Sequence, residues 1–559
     1  MTRFAEVARR SARSFLLFVV GTAAFAAAYC QAPLYYSNQN QYFLHGLAAA
    51  GPEYGYLHED WLAGTRDPTP LFSALVAFTA RHLHPWGFHV YQALLLGIYG
   101  VAMLGLFDAV AGRETARRRW PLFLALFVAA HAALPRWCSY RWLGADYPWF
   151  LQAGLAGQYV LGPMFQPSVF GVLLVVAVAL FARGRTYPAA FCAALAAVLH
   201  FTYLLSAGMI VLGMIAALLA ERRPYHALGA GALALALALP VAAGVLLYFG
   251  PTSPVTSAEA NAILVNFRIP HHARPDLWLD AVAVAQVAWV VLAAVLARPA
   301  RLRYLLAVPA LLALLLTLAQ VATHSDTLAL LFPWRVSSVL VPVATTVVLS
   351  RLAAALPPFA DTPPARVVSA AAVAVCVAGG VWISVRGVGF RSSDEELPLL
   401  NYAREHRGDG GKLYFLPVHV PDLAATTHGS LSSDFKPLAD KQRDGRVIPV
   451  DLQRFRLYTG VAIFVDFKSI PYKDTEVLQW HARLRLAREW QDRIQAGELH
   501  AVLAEMRLLR ITHLVVSAGS DVADDGLEKV YGEGPYWVYR LGPGPDHEPA
   551  RLRRGAEKR

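Results

Sequence analysis

The sequence YPAAFCAALAAVLHFTYLLSAGMIVLGMIAALLA (187–220) decides the fold, because it is a run of 34 nearly uninterrupted apolar residues. A helix that crosses the hydrocarbon layer of a membrane needs about 20 residues, so this run is too long for one span and suits two. Arginines flank it on both sides: Arg183, Arg185, Arg222 and Arg223. Loops rich in arginine stay on the cytoplasmic side, so both ends are predicted to lie inside and the chain to turn near His200.

Nine further apolar runs are long enough to cross a bilayer, which predicts eleven spans that start inside and finish outside. These runs are 14–30, 87–110, 119–134, 166–182, 226–248, 278–297, 304–322, 334–355 and 367–385. The first follows an arginine-rich start, so a cleaved signal peptide is the alternative to a retained helix. We expect a retained helix, because the bundle needs it to be complete.

Two shorter apolar runs lie in outward loops. Leu71–Leu83 is bounded by prolines, and Trp149–Leu161 contains Gln152 and Gln158. Both are short for a span, so we expect helices that lie at the outer interface or re-enter from it.

Composition and charge agree with a multi-pass membrane protein, since 56% of the residues are hydrophobic and 16% are charged. From Met1 to Val385 there are 24 Arg and no Lys against 14 Asp and Glu. From Arg386 onward, 26 Lys and Arg nearly balance 25 Asp and Glu. The basic excess therefore reflects membrane topology and not a nucleic-acid partner. We expect the N-terminus to be cytoplasmic and the C-terminal domain extracytoplasmic.

The last third of the chain has the pattern of a small α/β domain. Buried strands are predicted at 412–416, 462–467, 512–517 and 536–541, and helices at 475–496 and 501–509. The predicted domains are a transmembrane part at 1–385 with an outer loop at 31–86, a soluble α/β part at 386–545, and a disordered basic tail at 546–559.

Three acidic residues in the first outer loop are candidates for a catalytic base: Asp60, Glu59 and Asp67. Partial burial beside a membrane raises the pKa of a carboxylate toward values useful for proton transfer, and Asp60 is the strongest candidate. The alternative is structural, with Asp60 as a helix N-cap and Asp67 in an Asp-Pro turn.

The outward loop NFRIPHHARPDLW (266–278) is a candidate for binding phosphate. Arg268 can hold phosphate oxygens in a bidentate way, and the neighbouring His271 and His272 add further donors. A metal site that includes His58 is one alternative, although the spacing fits no zinc motif, and a surface loop with incidental histidines is another.

Arg335 lies at the outer end of a predicted span, just after a proline. A charged group at that depth is costly unless it faces a cavity or a partner, so it is a candidate site residue. The alternative is an arginine that reaches the lipid headgroups. Gln158 and His200 either line the same cavity or are satisfied within the bundle.

The many-span bundle, the acidic first outer loop, the outward arginine and the C-terminal domain resemble the GT-C superfamily of glycosyltransferases. The motifs YSNQNQYFLHGL (36–47), RDPTPLF (66–72), RIPHHARP (268–275), FPWRVSS (332–338) and FRLYTGVAIFVDFKSIPYKD (455–474) are also similar to an uncharacterised family of bacterial multi-pass proteins with a domain of unknown function. The second likeness covers most of the chain. The first is architectural.

The GT-C resemblance implies transfer of a sugar from a polyprenyl-phosphate carrier to an envelope glycan, lipid or protein. Asp60 would deprotonate the acceptor, and Arg335, His271 and Arg268 would stabilise the leaving phosphate. A divalent metal is an optional cofactor. The chain departs from the family in that Asn38, Gln39 and Asn40 stand where the family's acid usually follows the first helix.

Two other functions stay open from the sequence. A transporter, flippase or envelope scaffold would use the same arginines to bind lipid phosphates, although no internal repeat is visible. A binding module would capture its partner through the α/β domain, with the bundle as an anchor. Oligomeric state has no sequence signal.

Overall fold

The computed structural model describes residues 2–36, 38–388, 395–408, 410–416, 452–520 and 522–542. The chain is mostly helical, at 73%, and carries a small sheet near its C-terminus. The predicted basic tail at 546–559 lies outside the described residues.

Within the described residues the helices are α1 (Thr2–Tyr29), α2 (Gln39–Tyr42), α3 (Leu44–Ala50), α4 (Pro70–His82), α5 (Gly87–Ala111), α6 (Arg113–His131), α7 (Ala133–Leu143), α8 (Tyr147–Phe150), α9 (Val172–Ala182), α10 (Thr186–Leu199), α11 (Leu204–Ala220), α12 (Pro224–Phe249), α13 (Pro254–Ile263), α14 (Pro270–Ala273), α15 (Pro275–Trp278), α16 (Ala281–Leu296), α17 (Ala300–Thr323), α18 (Asp326–Leu330), α19 (Ser337–Ala355), α20 (Pro363–Arg386), α21 (Leu397–Glu405), α22 (Phe455–Thr459), α23 (Asp474–Gln495) and α24 (Leu499–Leu508).

Seven helices among the described residues are long and apolar enough to cross a membrane, or eight if the bent pair α6 and α7 counts as one span. The bend between α6 and α7 is 53°. Three shorter apolar helices occupy 167–182, 186–199 and 281–296. Each of the eleven predicted runs thus contains a helix, and seven or eight of them meet the length of a span.

The predicted break in the long apolar run is confirmed. His200 has an extended backbone (φ −150°, ψ 102°) between α10 and α11, and a short 3-10 turn at Phe201–Tyr203 follows. α10 packs against α9 and α12, and α11 against α17. The hairpin therefore lies within the bundle.

α1 is a closely packed member of the bundle. A Cβ atom added at Gly380 of α20 would lie 2.0 Å from the carbonyl oxygen of Ala27, and one at Gly97 of α5 would lie 2.0 Å from the Thr22 hydroxyl. Small residues at such crossings allow the helix backbones to approach closely, as is usual in membrane bundles.

The two shorter apolar runs differ in structure. Leu71–Leu83 forms the predicted amphipathic helix, α4, which buries Phe72 and Val76 and exposes Phe78. For Trp149–Leu161 a single helix was wrong, since only the end of α8 and a 3-10 turn at Leu155–Gly157 are regular.

Side chains from neighbouring helices explain this irregular segment. Gln286 donates to the carbonyl oxygens of Phe150 and Ala153, at 3.0 and 2.9 Å, and the Ser337 hydroxyl accepts from the Leu155 amide at 2.8 Å. Non-helical backbone at membrane depth is tolerated where protein groups satisfy it in this way.

The C-terminal α/β domain has five strands among its described residues, β1 (Leu413–Phe415), β2 (Ala462–Ile463), β3 (His513–Ser517), β4 (Leu527–Tyr531) and β5 (Tyr536–Leu541), in the order β2-β1-β3-β5-β4. β1 pairs in parallel with β2 and β3, and β5 pairs antiparallel with β3 and β4. The predicted strand at 462–467 shortens to two residues because the chain leaves the sheet there toward the bundle. The sequence missed β4, whose charged residues at an exposed edge hide its alternation.

Candidate functional site

Asp60, the predicted base, joins the loop after α1 to the C-terminal α/β domain. Its Oδ2 accepts hydrogen bonds from Arg456 Nε at 2.7 Å and from the Ile463 amide at 3.0 Å, and its Oδ1 accepts from the Leu62 amide at 2.9 Å. Arg456 also lies 2.9 Å from Asp466. Burial opposes the charged form of Arg456, but the two carboxylates outweigh it and raise its pKa. Asp60 therefore belongs to a buried ionic triad.

Glu59 and Asp67 also form hydrogen bonds within the protein. Glu59 Oε2 accepts from the Gly411 amide at 2.8 Å, and Asp67 Oδ1 accepts from the Thr69 amide at 2.8 Å, which is the turn expected from the Asp-Pro pair. None of the three carboxylates lines the cavity beside Arg335. The sequence grouped these acids with Arg335 in one site, but the structure does not bring them together with it.

A single segment of the C-terminal α/β domain, residues 466–474, covers one end of the helical bundle. Tyr472 lies 3.1 Å from Tyr42, hydroxyl to hydroxyl, and Gln41 donates to the carbonyl oxygen of Ile470 at 3.2 Å. Asp474 accepts from the amide and the hydroxyl of Thr252, at 2.7 and 2.8 Å. Burial and the Tyr42 hydroxyl raise the pKa of the Tyr472 phenol well above its usual value, so it stays neutral.

Arg335 is presented by a 3-10 turn, Pro333–Val336, at the start of α19. Its Nη1 donates to Gln158 Oε1 at 3.3 Å, and its Nη2 lies 3.4 Å from His200 Nε2, which must accept because a guanidinium only donates. Its guanidinium carbon stands 5.0 Å from the ring centre of Tyr203. None of these three partners carries a negative charge.

The charge of Arg335 is not compensated by the part of the chain that the structure describes. No described carboxylate lies within 4.0 Å of it, whereas Arg119, Arg136 and Arg301 each have one. Its Nε is buried without a hydrogen-bond partner. A guanidinium held by neutral groups keeps a full positive charge for an anion.

Arg268 approaches the same region from a π-helix, Leu264–Arg268, which is a form often found at functional sites. It is 5% exposed, donates to the carbonyl oxygen of Lys468 at 2.5 Å and stacks over Phe467 at 5.1 Å. Burial lowers its pKa to about 10, with Asp466 acting in the opposite sense. Both Arg268 and Arg335 interact electrostatically with Tyr472, so they lie on the same part of the junction.

The adjacent histidines are packed together, with ring centres 4.0 Å apart. His272 Nδ1 lies 2.5 Å from the carbonyl oxygen of Ala156. His272 and Arg335 line one small cavity of about 10 Å³, together with Gln158 and Trp334. That volume suits one water molecule or one ligand oxygen. The structure therefore brings together two of the residues predicted to bind phosphate.

Trp334 is a site residue that sequence reasoning missed. It is 8% exposed, and its indole Nε1–H is buried without a hydrogen-bond partner among the described residues. The signal was its position beside Arg335, but an indole next to a membrane surface is usually part of the interfacial belt. Arg456 was also missed, because no local pattern marks a partner for Asp60.

A long apolar groove begins at this cavity. It has a volume of about 1040 Å³ and lies between α16 and α17, and Trp278 and Trp334 border both the groove and the small cavity. On α17 it extends from Arg303 to Val321. At 1.5 Å per residue this is roughly 27 Å, close to the ~30 Å thickness of a bilayer's hydrocarbon layer.

Two residues that line the small cavity have strained backbones. Ala156 (φ +56°) and Phe332 (φ +48°) have left-handed backbones, and both line it. Such conformations cost about 1–3 kcal/mol each in non-glycine residues and occur often at functional sites.

For metals, no group of three or more His, Cys, Asp or Glu side chains that could hold an ion occurs among the described residues.

In comparisons with known proteins, residues 442–487 match a domain of unknown function, DUF6798. No curated protein matches the chain. The described part of the matched stretch, 452–487, includes Arg456, Asp466 and Tyr472. The similarity to this family thus falls on the stretch that joins the C-terminal α/β domain to the bundle.

Proposed function

We propose that the protein is a membrane glycosyltransferase of GT-C type, which takes a sugar from a polyprenyl-phosphate carrier at the outer face of a bacterial inner membrane. The observation that supports this most directly is Arg335, an uncompensated guanidinium at the head of a membrane-long apolar groove. A lipid phosphate has a negatively charged headgroup, which complements the guanidinium, and a long apolar chain, which complements the groove.

The phosphate group would bind to two donors that have no hydrogen-bond partner in the part of the chain that the structure describes, Arg335 Nε and Trp334 Nε1. Buried donors without acceptors are costly, and phosphate oxygens satisfy them with charge-assisted bonds. In a transfer reaction the same donors stabilise the negative charge that develops on the leaving phosphate.

The lipid chain would lie in the groove between α16 and α17. Its length of roughly 27 Å is nearly twice the ~15 Å depth of one leaflet. A groove of this length suits an isoprenoid chain better than an ordinary acyl chain.

The proposed topology has eleven spans with the arginine clusters inside. Two arginines of the proposed cytoplasmic clusters form ion pairs, Arg119 with Asp361 at 3.0 Å and Arg301 with Glu221 at 2.6 Å. These pairs hold helix ends together, in contrast to Arg335. The eleven spans include the three shorter apolar helices and the bent pair.

The resemblance gives Asp60 the role of base, and Asp60 stays a candidate in that role. Its contacts with Arg456 and Ile463 favour a positioning role instead. On this proposal Asp60 holds segment 466–474 against the bundle.

The test is sugar release from a panel of polyprenyl-phosphate hexoses by the purified protein in nanodiscs. We expect the wild type to convert at least one donor to polyprenyl phosphate, and Arg335→Gln to abolish that conversion. Arg274→Gln is the matched control, because Arg274 is exposed and paired with Asp276 at 2.7 Å. Binding of polyprenyl phosphate without conversion of any donor would reject the enzyme.

The groove itself favours one alternative, a lipid flippase. It extends from Trp334 at the outer end to Arg303 near the other end, so a headgroup has a basic residue at each side. Movement of a fluorescent polyprenyl phosphate across proteoliposomes, without sugar release, would identify this function.

A further inference from the structure

We infer that Trp278 determines which lipid the site accepts. It contacts the isoprene unit that carries the phosphate, and it favours an unsaturated first unit over a saturated one. This inference rests on the proposed binding of a lipid phosphate and names the class of lipid more closely. Trp278 is a specificity-determining residue and takes no part in the chemistry.

Trp278 lies at the border between the small cavity and the long apolar groove. Among the described residues, only Trp278 and Trp334 line both spaces. Their ring centres are 6.4 Å apart, and the rings are inclined at 67° to each other. The two indoles therefore form two flat walls of one corner, and a ligand that occupies both spaces passes this corner.

Burial separates Trp278 from the tryptophans that anchor a protein at a membrane surface. Trp278 is 6% exposed, whereas Trp86 and Trp142 are 68% and 74% exposed. Rings of the interfacial belt stand at the level of the lipid headgroups. Just before Trp278 in the sequence, Arg274 and Asp276 form an exposed ion pair, so this short helix has its polar side outward and its indole inward.

The polarity of the lining changes at the level of the two tryptophans. On α17, Gln320 lines the cavity, and Thr317, one turn earlier, lines the groove. The Thr317 hydroxyl donates to the carbonyl oxygen of Ala313 at 2.9 Å, so its own donor is satisfied. Beyond Thr317 the groove lining is apolar as far as Arg303. The change takes place over about 4.5 Å of helix, which is the scale of one isoprene unit.

Arg335 fixes which unit of the lipid meets Trp278. Arg335 lines the cavity and not the groove. The cavity, at about 10 Å³, has room for one oxygen. A phosphate oxygen bound by Arg335 therefore leaves no space for carbon in the cavity, and the first isoprene unit begins at the border.

An unsaturated first unit fits flat walls better than a saturated one. Its double bond holds all carbons of the unit in one plane, whereas reduction makes the former double-bond carbons tetrahedral and moves the methyl group out of that plane. Dispersion attraction is greatest at separations of about 3.5–4.0 Å between carbon atoms. A flat group reaches this separation over its whole face against an indole, and a puckered group does so at fewer atoms.

The experiment measures dissociation constants in nanodiscs for geranylgeranyl phosphate and for the same lipid with only its first double bond reduced. The two ligands have equal charge and the same carbon skeleton. We expect the wild type to bind the unsaturated lipid about tenfold more tightly, since small changes of shape in an apolar pocket have effects of this size. Trp278→Leu should bind both lipids equally, and Trp278→Phe, which keeps a smaller flat ring, should retain part of the preference.

Two controls separate selectivity from folding and from overall affinity. Trp382→Leu removes a ring that packs edge-on against Trp137 and lines neither space, so it should keep the wild-type ratio of the two constants. Arg335→Gln should weaken the binding of both lipids by the same factor. Both constants come from one protein sample, so a variant that folds only in part still reports the ratio.

The outcomes distinguish this inference from the proposed function, because binding is measured without turnover. A wild type that binds both lipids equally, or that prefers the reduced one, overturns the inference and leaves the phosphate site standing. A Trp278→Leu variant with the wild-type ratio overturns it as well. A wild type that shows the preference, loses it in Trp278→Leu and converts no sugar donor supports the inference and rejects the enzyme.

Discussion

Asp60 and Arg456 are separated by 396 residues in the sequence, yet Asp60 Oδ2 lies 2.7 Å from Arg456 Nε. Both residues are 2% exposed. Removal of one member of a buried ion pair leaves an unpaired charge, which costs more than the pair contributes. The contact is therefore a structural link between the loop after α1 and the C-terminal α/β domain.

We predict that Asp60→Asn destabilises the protein by about 3 kcal/mol and loosens the soluble domain from the bundle. Limited proteolysis at the junction and thermal unfolding in detergent would measure this. Asp67→Asn is the matched control, because Asp67 only caps a turn through the Thr69 amide. An Asp60→Asn protein with wild-type stability and no activity would instead identify Asp60 as the base of the sequence-based hypothesis.

Arg335→Gln should weaken binding of polyprenyl phosphate by roughly 10–100-fold, since hydrogen bonds to charged groups contribute about 1.5–3 kcal/mol. Native mass spectrometry or microscale thermophoresis in nanodiscs would give the dissociation constants. Arg274→Gln should bind as the wild type does. Equal affinities for the Arg335 and Arg274 variants would contradict the assignment of the anion site.

Filling the groove should affect long chains more than short ones. Ala310→Trp places an indole in the middle of the groove, whereas Leu315→Trp changes an exposed residue of α17 that does not line it. We expect Ala310→Trp to weaken binding of a long polyprenyl phosphate at least tenfold and that of farnesyl phosphate much less. The same loss for both chain lengths would show that the chain does not occupy the groove.

The soluble domain should lose stability in acid through His513. Burial, together with Lys412 and Arg540, lowers the pKa of His513 from 6.5 to about 4. The unfolded chain therefore binds the proton first, and stability decreases as the pH falls from about 6.5 to 4. It is fully present above that window.

For this histidine we expect a loss of about 2 kcal/mol, allowing for partial screening by solvent. His513→Phe keeps the stack on Tyr414, whose ring centre is 4.4 Å away, and should abolish the pH dependence. Thermal unfolding at pH 7 and pH 4.5 would measure it, with His500→Gln as an exposed control. An unchanged slope in His513→Phe would refute the assignment.

Much of the helical architecture was predictable because hydrophobic runs and arginine gaps are local signals. The break at His200 followed from the length of the apolar run and the arginines on both sides of it. The irregular segment after α8 was not predictable, since its backbone is satisfied by Gln286 and Ser337, which are distant in the sequence. Strand β4 was missed for a different reason, because an exposed edge strand with charged residues lacks a clear alternation.

The candidate site was predictable in its cations and not in its acids. Arg335 could be selected because a charged group at membrane depth is rare, and His272 because it lies next to His271 and near Arg268 in one short loop. The sequence grouped Asp60 with Arg335, whereas the structure pairs it with Arg456. A sequence does not show which buried acid has such a partner. Trp334 was overlooked because an aromatic ring near a membrane surface has a commoner explanation.

The junction between residues 36–67 and 454–476 has a consequence for inheritance. Asp60 with Arg456, Tyr42 with Tyr472 and Arg66 with Glu476 are pairs whose codons are several hundred positions apart. A recombination event between two diverged genes would join an outer loop from one parent to a covering segment from the other, and the buried triad would be mismatched. Viable chimaeras should therefore exchange both segments together or neither.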